Sequence, residues 1–155
     1  MSSVLFVCTG NRFRSPIAAA TFIQSLKKAG MTSGWVVESA GTWATPGLSP
    51  IPSAIEAANG FGLDISNCTA RIVNQINLAE YDLILVMEQG QKEAIQIEFP
   101  LISTRVYLLA EVANGLHYDI PDPNDDNNDV DEQEIANEVR DLVICGFKKI
   151  YDLAH

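Results

Sequence analysis

The sequence predicts an α/β fold built on a doubly wound parallel sheet of about four strands, with helices on both faces. Four short apolar runs are continuous rather than alternating, which is typical of strands buried on both faces of a parallel sheet. Segments with helical periodicity separate these runs, and strands that alternate with helices form βαβ units. The length of 155 residues suits one domain spanning residues 1–155.

Each predicted strand is a run of mostly branched or aromatic apolar residues. The four runs are Val4–Val7, Trp35–Val37, Leu83–Met87 and Val106–Leu109. Their length is that of strands rather than helices. Ligands of such sheets bind beyond the carboxyl ends of the strands, so the residues that follow each run are candidates for a site.

The predicted helices follow from apolar spacing and from end signals. The first begins near Ser15, which can cap a helix, and Pro16 suits the first turn. Its apolar positions recur at intervals of three and four up to Leu26, and Gly30 closes it. Further helices are predicted at Pro52–Ala58, at Gln91–Ile97 and, as one long helix, at Asp131–Leu153.

Composition excludes several classes of protein. A formal net charge of −10 argues against nucleic acid or an anionic membrane as partner. There is no signal-peptide pattern at the start and no run of about 18 apolar residues for a membrane span. The three cysteines, Cys8, Cys68 and Cys145, have no metal-ligand spacing and are odd in number. We therefore expect a cytoplasmic protein without a disulfide scaffold.

The most informative segment follows the first strand, where Cys8 and Arg14 are separated by five residues. Gly10 permits a tight reversal of the chain between them. Backbone N–H groups of such a loop, with those of the following helix start, form an anion site that also favours thiolate over thiol. The planar guanidinium of Arg14 fits two phosphate oxygens at once. The pattern indicates a phosphate cradle around a sulfur nucleophile.

A candidate general acid lies in the segment Asp119–Pro123. Cleavage of a phosphomonoester by cysteine needs an acid for the leaving oxygen, and the same group then serves as base for water. Prolines on both sides of Asp122 restrict its backbone. An acidic surface loop is the alternative explanation of this segment.

Nearly the whole chain resembles the low-molecular-weight protein tyrosine phosphatase family. The stretch from Cys8 to Pro16 is similar to the family's C-x5-R-S signature, and Pro121–Pro123 is similar to its acid loop. Weaker similarity covers Glu38–Thr42, Leu63–Ser66 and Ala70–Arg71.

The resemblance implies a phosphatase with a phosphocysteine intermediate and without a metal or organic cofactor. By resemblance, the catalytic residues are Cys8 as nucleophile, Arg14 as phosphoryl ligand and Asp122 as general acid. The resemblance also implies that Asn11 and Ser15 hold the loop, that the Ser15 hydroxyl hydrogen-bonds the Cys8 sulfur and that Ser39 joins this network. The implied substrate is a phosphotyrosine-containing protein or a small aryl phosphate, and the oligomeric state is left between monomer and weak homo-oligomer. Substrate-binding residues are expected at Thr9, Gly10, Asn11, Arg12, Phe13, Ser15 and Trp43.

Some positions depart from the family pattern. Phe13 stands where many relatives have a second cysteine able to form a protective disulfide. Cys68 stands where histidine often supports the loop asparagine, which predicts a less rigid loop. The residues Asn124–Asp126 replace the aromatic residues that commonly flank the substrate ring. Arg12 adds a charge within the loop that would attract acidic substrate neighbours, repel phosphoarginine or simply face solvent.

Other functions remain open at this level. A non-catalytic phosphate-binding module on the same fold would keep the cradle without turnover. An arsenate reductase would need further cysteines, and residues 88–99 contain none. A phosphocysteine carrier of a sugar-transport system would need neither Arg14 nor the acid after it.

Overall fold

The computed structural model describes residues 1–123 and 131–155. Within them, four strands form one parallel sheet in the order β2-β1-β3-β4. The strands are β1 (Ser2–Cys8), β2 (Trp35–Gly41), β3 (Leu83–Val86) and β4 (Val106–Leu108). The predicted fold class is confirmed.

Six α-helices are present in the described residues. They are α1 (Arg14–Lys28), α2 (Pro52–Gly60), α3 (Gln89–Glu98), α4 (Leu109–Asn114), α5 (Glu132–Cys145) and α6 (Phe147–Ala154). Short 3-10 helices occur at Val73–Gln75, Leu78–Glu80 and Pro100–Arg105. No helix in the described part of the chain is long and apolar enough to span a bilayer.

Two apolar cores cover the two faces of the sheet. Alternate residues of β1 point to opposite faces, so Phe6 contributes to one core and Leu5 to the other. The larger core lies under α1, α5 and α6, while the smaller includes Ile95 of α3 and the 3-10 segments. All seven residues of β1 are buried, which explains why its sequence has no polar alternation.

The parallel register aligns the carboxyl ends of β1, β2 and β3 at one edge of the sheet. Cys8 pairs with Gly41, and Val7 pairs with Val86. The loops after these three strands therefore meet. Strand β2 runs four residues beyond the predicted Val37, because it is a partly exposed edge strand that accommodates the polar residues Glu38 and Ser39.

The prediction of one helix over Asp131–Leu153 is wrong, because the chain breaks at Gly146 between α5 and α6. A side chain at Gly146 would lie 3.0 Å from the Cα of Ala113 in α4, so the break brings the chain close to that helix. Helix α4 itself was not predicted, since its first residue Leu109 extends the apolar run of β4. Gly115, with φ of +79°, ends α4 in the left-handed conformation.

An aromatic cluster attaches the C-terminal helix to the sheet. The Trp35 ring lies 5.5 Å from the Phe22 ring and 5.2 Å from the Tyr151 ring, measured between centroids. Tyr151 also stacks on His155 at 4.9 Å. Because Trp35 is on β2, Phe22 on α1 and Tyr151 on α6, the cluster joins three elements.

Candidate active site

The Cys8 thiol lies at the bottom of the loop between β1 and α1 and is only 2% exposed. The backbone N–H of Asn11 donates to Sγ at 3.2 Å, and the Ser15 hydroxyl lies 3.0 Å from it. The sulfur is therefore held by the loop that encloses it.

Asn11 fixes the shape of the loop. It has a φ of 58°, in the left-handed region that asparagine tolerates better than most residues. Its amide nitrogen donates to the hydroxyls of Ser15 at 2.8 Å and Ser39 at 2.9 Å, and its carbonyl oxygen accepts the backbone N–H of Arg71 at 2.9 Å. The reversal assigned to Gly10 thus depends on Asn11.

The Asn11 side chain is held by Ser15, Ser39 and the backbone of Arg71, and no hydrogen bond to Cys68 contributes among the described residues. Cys68 lies instead on a cleft of about 310 Å³ that Ser39 and Arg71 also line. Burial and the neighbouring charge of Asp64 raise the pKa of the Cys68 thiol. That thiol is accordingly the protonated form at neutral pH.

The Ser15 hydroxyl contacts the Cys8 sulfur and does not cap helix α1. Helix α1 begins at Arg14, and its N-cap residue Phe13 makes no side-chain cap hydrogen bond. The Ser15 hydroxyl is fully buried between Cys8 and Asn11. The expectation that Ser15 caps α1 is wrong, although Pro16 does lie in the first turn.

Arg14 is 1% exposed, and partners from two other segments surround its guanidinium. Nη1 donates to Glu88 Oε2 at 2.8 Å and to the Ile120 carbonyl oxygen at 2.6 Å. Nη2 lies 3.5 Å from Asp122 Oδ2. Because a buried charge is costly unless it is paired, these partners make the position of Arg14 possible.

Sequence reasoning missed Glu88 and Gln91, which follow β3. Gln91, 5% exposed, accepts the backbone N–H groups of Met87 and Glu88. Its amide donates to Glu88 Oε2 and Thr9 Oγ1, both at 3.0 Å, and so ties the cradle to α3. The signal for Glu88 was its place after β3, at the same sheet edge as Cys8.

Asp122, the candidate general acid, lies beside the Arg14 guanidinium. Its side chain is 27% exposed and faces Arg14. The preceding Ile120 is fully buried, and its N–H donates to the Met87 carbonyl oxygen at 3.0 Å, which attaches this segment to the end of β3. The segment Asn124–Asp126, expected to leave the rim without aromatic residues, lies outside the described residues.

The other predicted binding residues, Arg12, Phe13 and Trp43, differ in their exposure to solvent. Phe13 is buried in the larger core. Arg12 is half-buried, and its Nε donates to the Ser49 carbonyl oxygen at 2.7 Å. Trp43 is 84% exposed, although its backbone N–H donates to the Thr9 carbonyl oxygen at 3.0 Å. The backbone of Trp43 is thus attached to the loop while its side chain is exposed to solvent.

This arrangement suits the binding and transfer of a tetrahedral oxyanion. It joins a sulfur nucleophile, a loop with backbone amides, a buried guanidinium and a carboxyl group at the opening. Among the described residues, no group of His, Cys, Asp or Glu is arranged to hold a metal ion.

Comparisons with known proteins give consistent results. Residues 3–152 match the family model described as low molecular weight phosphotyrosine protein phosphatase. The chain is 38% identical over 123 residues to the probable low molecular weight protein-tyrosine-phosphatase EpsP of Ralstonia nicotianae, with 79% of each chain covered. It is 31% identical over 130 residues to the protein-arginine-phosphatase of Bacillus subtilis, with coverage of 84% and 85%.

A solved structure is similar over almost the whole fold. It is the YwlE arginine phosphatase in a cysteine-to-serine variant with a phosphorylated active-site serine. The TM-score is 0.85 at 27% identity, and the match covers 96% of this chain and 95% of that chain. In that relative, the residue that replaces the active-site cysteine carries the phosphoryl group.

Proposed function

We propose, because this chain belongs to the low molecular weight phosphotyrosine protein phosphatase family, that Cys8, Arg14 and Asp122 are its catalytic residues. The protein is a cysteine-dependent phosphatase that works through a phosphocysteine intermediate. We assign the activity to a single domain spanning residues 1–155. The observation that carries the assignment is a Cys8 sulfur hydrogen-bonded within its loop, at the end of which the Arg14 guanidinium pairs with Asp122.

In the first step, the Cys8 thiolate attacks phosphorus and the bond from phosphorus to the leaving oxygen breaks. Loop amides and Arg14 bind the equatorial phosphoryl oxygens, whose charge the transition state spreads over all three. Asp122, in its protonated form, gives its proton to the leaving oxygen. The distance of 3.5 Å from Arg14 Nη2 to Asp122 Oδ2 supports this role, because Arg14 is the proposed phosphoryl ligand.

In the second step, water attacks the phosphocysteine and the sulfur–phosphorus bond breaks. The Asp122 carboxylate takes the proton from water, which restores the acid for the next cycle. Inorganic phosphate leaves, and the thiolate returns to the hydrogen bonds from Asn11 N–H and the Ser15 hydroxyl. These two donors stabilise sulfur as a leaving group.

The substrate class we favour is an aryl phosphate, as in a phosphotyrosine-containing protein. The exposed Trp43 beside Thr9 offers an aromatic surface for the ring of such a substrate. Phosphoarginine is the second candidate, because a relative of 31% identity is named a protein-arginine-phosphatase. The charge of Arg12 disfavours that substrate by repulsion between cations.

Turnover of para-nitrophenyl phosphate tests the catalytic assignment. We expect Cys8→Ser to abolish turnover and Asp122→Ala to lower kcat about 10²- to 10⁴-fold. Rapid quench of the parent protein with mass spectrometry should locate the phosphoryl group on Cys8. Cys145→Ser, which removes an exposed thiol on α5, is the matched control and should keep parental turnover. If the parent protein binds phosphate but does not hydrolyse para-nitrophenyl phosphate, the protein is a phosphate-binding module and not an enzyme.

Matched peptides that carry phosphotyrosine or phosphoarginine distinguish the two substrate classes. We expect the larger kcat/KM for phosphotyrosine. Equal or faster turnover of phosphoarginine would reverse the preference.

The cellular setting is also part of the proposal. A catalytic thiolate needs reducing conditions, which favours the cytoplasm. The chemistry above uses protein groups and water, so we assign no metal or organic cofactor. We propose a monomer or a weak homo-oligomer that acts on phosphoproteins and binds neither nucleic acid nor membrane, in keeping with the net charge of −10.

A further inference from the structure

Arg12 is a second arginine of the cradle loop, two positions before Arg14. Its backbone carbonyl oxygen accepts the N–H of Ile51 at 3.1 Å, and its Nε donates to the carbonyl oxygen of Ser49 at 2.7 Å. Both contacts attach it to the segment that precedes α2. A half-buried arginine held by Nε has fewer rotamers to lose when its other nitrogens bind a ligand.

The two terminal nitrogens of Arg12 have no hydrogen-bond or ion-pair partner among residues 1–123 and 131–155. The other arginines of the described chain each use at least one terminal nitrogen. Arg14 binds Glu88, Arg71 binds Glu38, Arg105 binds two carbonyl oxygens and Arg140 contacts Asp141. In a chain with 20 acidic and 10 basic residues, an oriented cation to which the described residues offer no carboxylate is a place for an external anion.

We propose that Arg12 forms a second anion subsite, which binds a carboxylate next to the phosphotyrosine of an acidic peptide. This inference rests on the proposed function. The phosphoryl group occupies the cradle, and a neighbouring Asp or Glu of the same peptide accepts hydrogen bonds from the free nitrogens of Arg12. The protein then selects tyrosine phosphorylated in acidic sequences.

Geometry as well as charge favours the binding of a carboxylate at Arg12. The planar fork of arginine matches a carboxylate, and such bonds are stronger than those between neutral groups. The net charge of −10 opposes approach of an acidic peptide from a distance, so the preference depends on this local contact. The same local cation repels a positively charged guanidino group.

Two phosphotyrosine peptides of identical length test the proposal, one with Asp and Glu around the phosphotyrosine and one with Asn and Gln in their place. We expect the parent to have a kcat/KM about 5- to 20-fold higher for the acidic peptide. Arg12→Gln should reduce this ratio to about 1, and Arg12→Lys should keep part of it. Any change common to both peptides cancels in the ratio.

Lys28→Gln is the matched control, because it removes one positive charge from an exposed position at the far end of α1. That variant should keep the parental ratio. The proposal is overturned by a parental ratio near 1, by an unchanged ratio in Arg12→Gln or by an equal loss in Lys28→Gln. Turnover of para-nitrophenyl phosphate, lost in Cys8→Ser, tests the enzyme activity separately from the subsite.

Discussion

Arg14 is the residue whose surroundings most constrain the site. Its guanidinium is buried and contacts the Glu88 carboxylate, the Ile120 carbonyl oxygen and the Asp122 carboxylate. Glu88 follows the carboxyl end of β3, and Ile120 and Asp122 lie in the segment that ends at residue 123. The same group thus positions the loop, the segment after β3 and the proposed acid relative to one another.

Substitution of Arg14 by lysine should remove most of the activity although the charge is retained. A single ammonium group cannot reproduce the planar fork that donates to Glu88 and Ile120 and that, in the proposed mechanism, binds the phosphoryl oxygens. We expect kcat/KM for para-nitrophenyl phosphate to fall about 10²- to 10³-fold in steady-state assays. A loss below about 5-fold would mean that charge alone suffices.

At the scale of residues, the sequence offers candidates where the chemistry requires particular residue types in a particular pattern. Cys8, Arg14 and Asp122 were predicted in this way, and the structure brings Arg14 and Asp122 together. Glu88 was missed because a single carboxylate after a strand has no motif. For Ser15, the family resemblance placed the hydroxyl against the Cys8 sulfur, where the structure has it, whereas the capping role inferred from the local sequence was wrong because α1 begins at Arg14.

Among the elements, β2 supports the site most directly. Beyond Gly41, the chain still bonds to the loop, since the N–H of Thr42 donates to the Cys8 carbonyl oxygen at 2.9 Å. The N–H of Trp43 donates to the Thr9 carbonyl oxygen at 3.0 Å. Gly41 permits this approach, because a Cβ there would collide with the Thr9 carbonyl oxygen and lie 3.1 Å from the backbone nitrogen of Asn11.

We expect Gly41→Ala to destabilise the fold by about 2 kcal/mol and to lower turnover as well. Both neighbours are backbone atoms of the loop, so the clash is relieved only by shifting the cradle. Urea denaturation and kcat measure the two effects. Gly90→Ala on α3 is the control, because a Cβ there meets no atom within 4 Å. If Gly41→Ala keeps parental stability and activity, the backbone at residue 41 lies less close to Thr9 and Asn11 than described.

The elements could be predicted where apolar periodicity determines them and not where tertiary packing does. Strands β1, β3 and β4 coincide with apolar runs to within two residues at each end. The break at Gly146 was missed because the apolar spacing of α5 continues into α6, while the close packing against Ala113 leaves no mark in local sequence. The length of β2 was missed because an edge strand tolerates polar residues.

At the scale of the whole molecule, one charge cluster links helices on the side of the sheet where β4 lies. The Glu111 carboxylate of α4 accepts from Lys92 of α3 at 3.0 Å and from the Leu108 N–H at 2.9 Å, and it lies 2.7 Å from His117. Burial alone would raise the pKa of Glu111. The hydrogen bonds from Leu108 and Lys92 and the charges of Lys92 and His117 outweigh burial and lower it.

Glu111 should therefore contribute to global stability in a pH-dependent way. A carboxyl group with a lowered pKa stabilises the fold above its ordinary pKa, and the contribution is lost as the pH falls through the lowered value. We expect Glu111→Gln to reduce the free energy of unfolding by about 1 kcal/mol at pH 7, with the difference shrinking in the acid range. Urea denaturation from pH 7 downward measures it. The exposed Glu56→Gln on α2 is the control, and a pH-independent difference would contradict the assignment.

The two tryptophans give the molecule two separate optical reporters. Trp35 is packed between rings of α1 and α6, so its emission follows the docking of the C-terminal helix. Trp43 is 84% exposed beside the loop, where iodide in solution has access to the indole. A Trp43→Phe protein would thus report unfolding without interference from the mouth of the site. Subtracting its spectrum from that of the parent would isolate events at the loop.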